Sequence, residues 1–106
     1  MLQAATDNDF ESLLKLHPKV VVKYYADWCG TCKLFSKKFK RLAANDTNAD
    51  ILFLDVNAEE NEQARKFGGV DNLPYFATIK NGNLLEGAAT SKEEYLQKMI
   101  DDLKLY

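Results

Sequence analysis

Two cysteines, Cys29 and Cys32, are the only ones in the chain, and their Cys-x-x-Cys spacing is the one arrangement here that could carry covalent chemistry. Val20, Val21 and Val22 before them read as a buried strand, while Phe35, Phe39, Leu42 and Ala43 after them fall on one face of a helix. The pair therefore stands where a strand hands over to a helix. The first turn of a helix leaves backbone N–H groups unpaired and carries the positive end of its dipole, and both favour a thiolate. Cys29 is placed to benefit, which makes it the candidate nucleophile, because a thiolate and not a thiol attacks a disulfide. Cys32, nearly one turn further in and more buried, would resolve the mixed disulfide that Cys29 forms.

The surrounding run Ala26-Asp27-Trp28-Cys29-Gly30-Thr31-Cys32-Lys33 resembles the Trp-Cys-Gly-Pro-Cys-Lys signature of thioredoxins. Leu73-Pro74 is similar to that family's cis-proline element and Asn81-Gly82 to the turn of its last hairpin, so the likeness runs over nearly the whole chain. It implies a thioredoxin fold, protein-disulfide reduction by Cys29 and Cys32, and a thioredoxin reductase-like partner that restores the dithiol. No bound cofactor is implied, since NADPH would enter only through that partner. Pro74 would be cis and packed on the sulfurs, leaving the Leu73 backbone free for an extended substrate. Trp28, Gly30, Leu73 and Pro74 would form an apolar collar around an exposed Cys29 sulfur.

Three departures from the family pattern carry expectations of their own. Lys23 stands where the family has a buried acid six residues before the first cysteine, and Asp55 falls near the place where some members have a lysine. A lysine on a central strand is costly to bury alone, so the expectation is an ion pair with exchanged partners, Lys23 with Asp55. Thr31 replaces the usual proline between the cysteines, which predicts a more oxidising poise. Lys37 occupies the position of a helix-kinking proline, and the substrate-facing loop is matched by Gly87-Ala88 after a segment two or three residues shorter.

The elements that must position these residues follow from pattern. Thr6 and Asp7 are expected to cap a first helix with Phe10, Leu13 and Leu14 on its apolar face, ended by His17-Pro18. His17, the only histidine, reads as an exposed helix-end residue. Strands are expected at Val20–Tyr25 and Ile51–Val56, with the motif helix from Cys32 to Ala44 and the polar loop Asn45–Asp50 between them. Such a crossover pairs two strands in parallel. A short helix from Glu59 to Lys66 stops at Gly68-Gly69. Asn81-Gly82 then joins antiparallel strands Tyr75–Lys80 and Leu84–Ala88. Ser91 with Glu94 reads as a capping box for a last helix with Tyr95, Leu96, Met99, Ile100 and Leu103 on one stripe. The class is α/β, a mixed central sheet with helices on both faces, in a single domain over residues 1–106.

Composition excludes several other functions. With sixteen acidic and fourteen basic residues the net charge is −2, so no overall field draws the protein to nucleic acid or an anionic membrane. No stretch is long and apolar enough to span a bilayer. Asp7, Asp9 and Glu11 precede the first basic residue, Lys15, the reverse of a secretory leader, so the expected setting is the cytoplasm and the expected state a monomer. Lys33, Lys37, Lys38, Lys40 and Arg41 read first as a solvated helix face. Zinc would need about four ligands, and two cysteines with one distant histidine do not supply them. Two readings compete with the reductase: an exported disulfide oxidant or isomerase, favoured by Thr31, and a thioredoxin-fold interaction module with little turnover, kept open by Lys23.

Overall fold

The computed structural model describes all residues, 1–106, as five strands and four helices. In chain order these are β1 (Leu2–Ala4), α1 (Phe10–Leu16), β2 (Lys19–Tyr25), α2 (Gly30–Ala44), β3 (Leu52–Asn57), α3 (Glu62–Gly68), β4 (Tyr75–Lys80), β5 (Asn83–Ala89) and α4 (Glu93–Lys104). The sheet runs β1-β3-β2-β4-β5; β3 lies parallel to β1 and β2, whereas β4 is antiparallel to both β2 and β5.

The central strand explains the two-sided core. Val20, Val22 and Tyr24 point to the side covered by α1 and α3, joined by Leu52, Leu54 and Val56 of β3. Val21, with Phe53 and Phe76 of the neighbouring strands, points to the side covered by α2 and α4. Strand alternation thus sends Lys23, two residues beyond Val21, toward α2. On that side Phe39 meets Phe53 edge to face at 5.3 Å and tilts against Phe76 at 5.9 Å, which fixes α2 on the sheet.

Several expectations needed correction. Strand β1 was not anticipated; three residues show no alternation, and the strand exists because Leu2–Ala4 pair with Phe53–Asp55. Helix α2 begins at Gly30 rather than Cys32, with Cys29 as its N-cap, and continues unbroken through Lys37. Helix α3 is shifted to Glu62–Gly68 and ends on Gly69, whose φ of +71° suits glycine. The loop after α2 contains a short 3-10 turn, Asp46–Asn48, with Asn48 buried. His17 is half-buried rather than exposed, its amide closing α1 on the Leu13 carbonyl.

The caps differ as well. Neither Thr6 nor Asp7 caps α1; Asp9 is its N-cap residue and makes no side-chain cap bond. Asp7 instead crosses to α3, where its carboxylate accepts from the amides of Gln63 at 3.1 Å and Ala64 at 2.9 Å. A local signal was spent on a distant helix, a choice that only tertiary approach could reveal. No Ser91 capping box forms either: Lys92 is the N-cap of α4, and Thr90 Oγ1 accepts from the Lys92 amide at 3.1 Å. Tyr95 lies off the buried stripe and donates its hydroxyl to Glu86 at 3.3 Å.

The loop side of the sheet is held by two tyrosines. Tyr24 donates to the Ala64 carbonyl at 2.8 Å and Tyr75 to the Gly68 carbonyl at 2.7 Å, satisfying carbonyls of α3. A Cβ on Gly68 would stand 2.7 Å from the Tyr24 hydroxyl, so glycine is required there by contact. Burial, then the neighbouring Tyr75, pushes the Tyr24 phenol above its ordinary 10.0.

Asp7→Ala should lower stability by about 1 kcal/mol, because two first-turn amides lose their acceptor; the urea midpoint should fall at constant m-value. Raising the pH past about 10 should also lower stability, since Tyr24 ionises in the unfolded chain while the folded chain keeps its proton. Below that pH both states hold the proton and Tyr24 adds no slope. Melting temperature measured from pH 8 to 11.5 should show a shallower alkaline decline in Tyr24→Phe than in wild type.

Candidate redox site

The strand-to-helix turn gives the first cysteine its chemistry. As N-cap of α2, Cys29 has extended backbone (φ −86°, ψ 100°), and its Sγ accepts from the Cys32 amide at 3.1 Å. That amide is one of the four a helix leaves unpaired at its start, and it points at sulfur instead of a capping oxygen. The Cys29 amide donates to the Ala26 carbonyl at 3.1 Å, and the Lys33 amide to the Cys29 carbonyl at 3.3 Å, so the backbone on both sides of the sulfur is fixed. Cys29 and Cys32 are joined as a disulfide, with Cα atoms 5.3 Å apart.

Exposure departs from expectation. In this oxidised form Cys29 is only 5% exposed, scarcely more than Cys32 at 2%. The two cysteines form a small buried apolar cluster with Ala26, against which Tyr25 and Leu73 pack. Trp28 stands outside that cluster, 68% exposed. Gly30 is not required by packing, for a Cβ there would meet nothing within 4 Å.

Opposite the motif, the Leu73-Pro74 bond is cis and Pro74 is buried. A cleft of about 250 Å³ lies between the two, lined by Thr31, Asn72, Leu73, Pro74, Ala89 and Thr90 among others. The Leu73 backbone is only half free. Its amide is taken by Asn72 Oδ1 at 2.9 Å, while its carbonyl has no partner. Asn72 escaped sequence reasoning, although an asparagine beside an open backbone amide is a recurring local pairing. Gly87 and Ala88 lie in β5, where Gly87 makes room for the Tyr75 hydroxyl.

Beneath Cys32 the structure brings Lys23 and Asp55 together. They are register partners on adjacent parallel strands, and Lys23 Nζ lies 3.2 Å from Asp55 Oδ1. The contact is electrostatic, for that carboxylate oxygen makes no aligned hydrogen bond. Lys23 is 2% exposed and Asp55 27%. The ammonium also donates to Ser36 Oγ at 2.9 Å and lies 5.3 Å from the centre of the Phe39 ring. Ser36 Oγ in turn donates to the Cys32 carbonyl at 3.2 Å. Ser36 was missed by sequence reasoning; its signal was its position four residues after Cys32, on the side of the helix turned toward the sheet.

These side chains enclose a polar cavity of about 140 Å³, also lined by Tyr25, Ala26, Asp27, Cys32 and Lys33. That is room for a few waters among polar groups. Burial first, then the charges of Asp55, Asp27 and Glu60, raises the Tyr25 phenol above its ordinary 10.0, so it remains a donor there. A separate groove of about 510 Å³, between α1 and α3 and edged by Asn81 and Gly82, contains neither cysteine. No group of three or more His, Cys, Asp or Glu side chains is placed to hold a metal ion, and no helix is long and apolar enough to cross a membrane.

The geometry is that of a dithiol/disulfide pair at a helix start, and the comparisons with known proteins agree with it. The thioredoxin family profile matches residues 1–102. Thioredoxin-T of Drosophila melanogaster is 35% identical over 95 residues, covering 90% of this chain and 60% of that protein. Thioredoxin-1 of Caenorhabditis elegans is 33% identical over 95 residues, covering 88% and 81%. The crystal structure of Schistosoma mansoni thioredoxin superposes with a TM-score of 0.86 at 31% identity, covering 95% of this chain and 94% of that one. The chain belongs to the thioredoxin family and is a thiol-disulfide oxidoreductase with protein-disulfide reductase activity.

Proposed function

We propose that Cys29 attacks and Cys32 resolves in a two-step reduction of protein disulfides. The observation that carries this assignment is the Cys29 sulfur at the head of α2, facing the Cys32 amide. In the reduced protein the Cys29 thiolate attacks one sulfur of a substrate disulfide. A Cys29–substrate bond forms, and the other substrate sulfur leaves as a thiolate that takes up a proton. Cys32 then loses its proton and attacks Cys29 Sγ, closing the Cys29–Cys32 disulfide and releasing the second substrate thiol. Two electrons pass to the substrate, and a thioredoxin reductase-like partner returns them. No bound cofactor takes part.

Substrate would lie in the cleft between Thr31 and Pro74, its apolar parts against Trp28 and Leu73 and one backbone amide on the open Leu73 carbonyl. The Leu73 amide joins in once the Asn72 side chain turns away. Lys33 and Gly30 support the site from the first turn of α2. We read the chain as one domain over residues 1–106, acting as a monomer in the cytoplasm, on disulfide proteins rather than nucleic acid or membrane.

Lys23 and Asp55 take the part of proton handling and poise. Lys23, Asp55 and Cys32 line one cavity, which supports reading it as the route by which water would carry the Cys32 proton to the Asp55 carboxylate. The same arrangement favours a second reading as a disulfide oxidant. An ammonium near Cys32 stabilises the thiolate, hence the reduced form, and raises the potential.

Cys29→Ser should abolish disulfide reduction, whereas Cys32→Ser should accumulate the Cys29–substrate mixed disulfide, seen by intact mass; trapping through Cys32 in Cys29→Ser would reverse the roles. Asp55→Asn leaves a buried ammonium unpaired and should cost about 2–3 kcal/mol, less than the 3–5 typical of full burial because Asp55 is 27% exposed. The double variant Lys23→Met with Asp55→Leu should recover most of that loss in urea unfolding. In the reductase-coupled assay it should nevertheless turn over more slowly than wild type at neutral pH, because the proton acceptor is gone.

A further inference from the structure

Helix α2 carries five basic residues and no acidic one in its fifteen positions. The other 91 residues then hold nine basic and sixteen acidic residues, a net of −7, so the molecule is charge-segregated with its positive part on the helix that begins at the redox sulfur. Arg41 is neutralised by Glu93 of α4 at 2.7 Å. Lys33, Lys37, Lys38 and Lys40 are exposed and form no ion pair, although Asp27 shares a cavity rim with Lys33.

Helical spacing arranges these groups. Phe35, Phe39 and Leu42 face the sheet, which turns Gly30, Leu34, Lys37 and Arg41 outward along one line, with Lys38 on one flank and Lys33 and Lys40 on the other. Leu34 is 79% exposed, a large apolar residue that nothing in this chain covers, one turn beyond the exposed Trp28 end. The outward face therefore begins at Gly30, next in the chain to Cys29, passes an apolar contact and continues over unpaired ammonium groups. From Gly30 to Arg41 it is roughly 16 Å long, the reach of about five extended residues.

We propose that this face selects substrates: it receives a protein segment carrying acidic side chains within about five residues of the disulfide to be reduced. The proposal rests on the reductase reading above and names the substrate class for it. The occupant follows from charge complementarity and from continuity with the sulfur, since a ligand here must present a disulfide to Cys29. Leu34 and Trp28 hold the apolar part of the segment, and the lysines hold and steer its carboxylates.

The test uses pre-reduced wild-type protein and three disulfide-bonded peptides, identical except for acidic, neutral or basic residues flanking one cysteine. Rate constants for reduction should rank acidic over neutral over basic. The acidic-to-neutral ratio should be about tenfold in ~20 mM salt and fall to about twofold in ~0.5 M salt, where screening is nearly complete. The triple variant Lys37→Glu, Lys38→Glu and Lys40→Glu should invert the ranking while reducing the neutral peptide within about twofold of wild type. Equal rates for the three peptides at low salt, or an acidic preference that survives in the triple variant, would overturn the proposal. A triple variant slowed only in its recharging by a thioredoxin reductase would also overturn it, assigning the face to that partner instead. Failure of wild type on all three peptides would remove the reductase reading, and the proposal with it.

Discussion

The structure depends on one junction, the point where β2 stops and α2 starts. A helix cannot begin without leaving amides unpaired, and here the group that accepts one of them is sulfur. Packing on both faces of the sheet and backbone hydrogen bonds on either side of Cys29 hold this junction in place. Val20, Val21, Val22 and Tyr24 fix the strand between two cores, and Phe35 and Phe39 fix the helix against the sheet. The sulfur is presented because the backbone on either side has nowhere else to go.

That junction also concentrates charge. The strand alternation that buries Val21 places Lys23 on the same side, under the first turns of α2. The ammonium is tolerated because Asp55, Ser36 and the Phe39 ring surround it. The outer side of α2 carries its lysines to solvent, within a chain whose net charge is negative. That segregation of charge favours approach of a negatively charged partner from the side of α2.

What was legible in the sequence was what is local or periodic. The cysteine pair, the valine run, the motif helix and the Asn81-Gly82 turn were all recoverable, since each is specified by adjacent residues; Asn81 and Gly82 do adopt positive φ, 51° and 81°. The Lys23–Asp55 contact was inferred from a resemblance, and the parallel register supplies its physical reason. What was not legible depends on segments distant in the chain. Asp7 is a good cap in isolation, and nothing local says that it serves a helix more than fifty residues away. Strand β1 is too short to show a pattern, and the low exposure of Cys29 goes with a cluster on which Leu73, more than forty residues away, packs. Asn72 on the Leu73 amide and Ser36 beneath Cys32 are single polar residues whose partners appear only once the chain is folded.

The most direct measurement of the central claim is the pH dependence of alkylation at Cys29 in the fully reduced protein, followed by mass spectrometry of that site. The Cys32 amide and the positive end of the dipole at the head of α2 should move its midpoint at least one unit below the ~8.5 of an ordinary cysteine. A midpoint at or above that ordinary value would contradict the account.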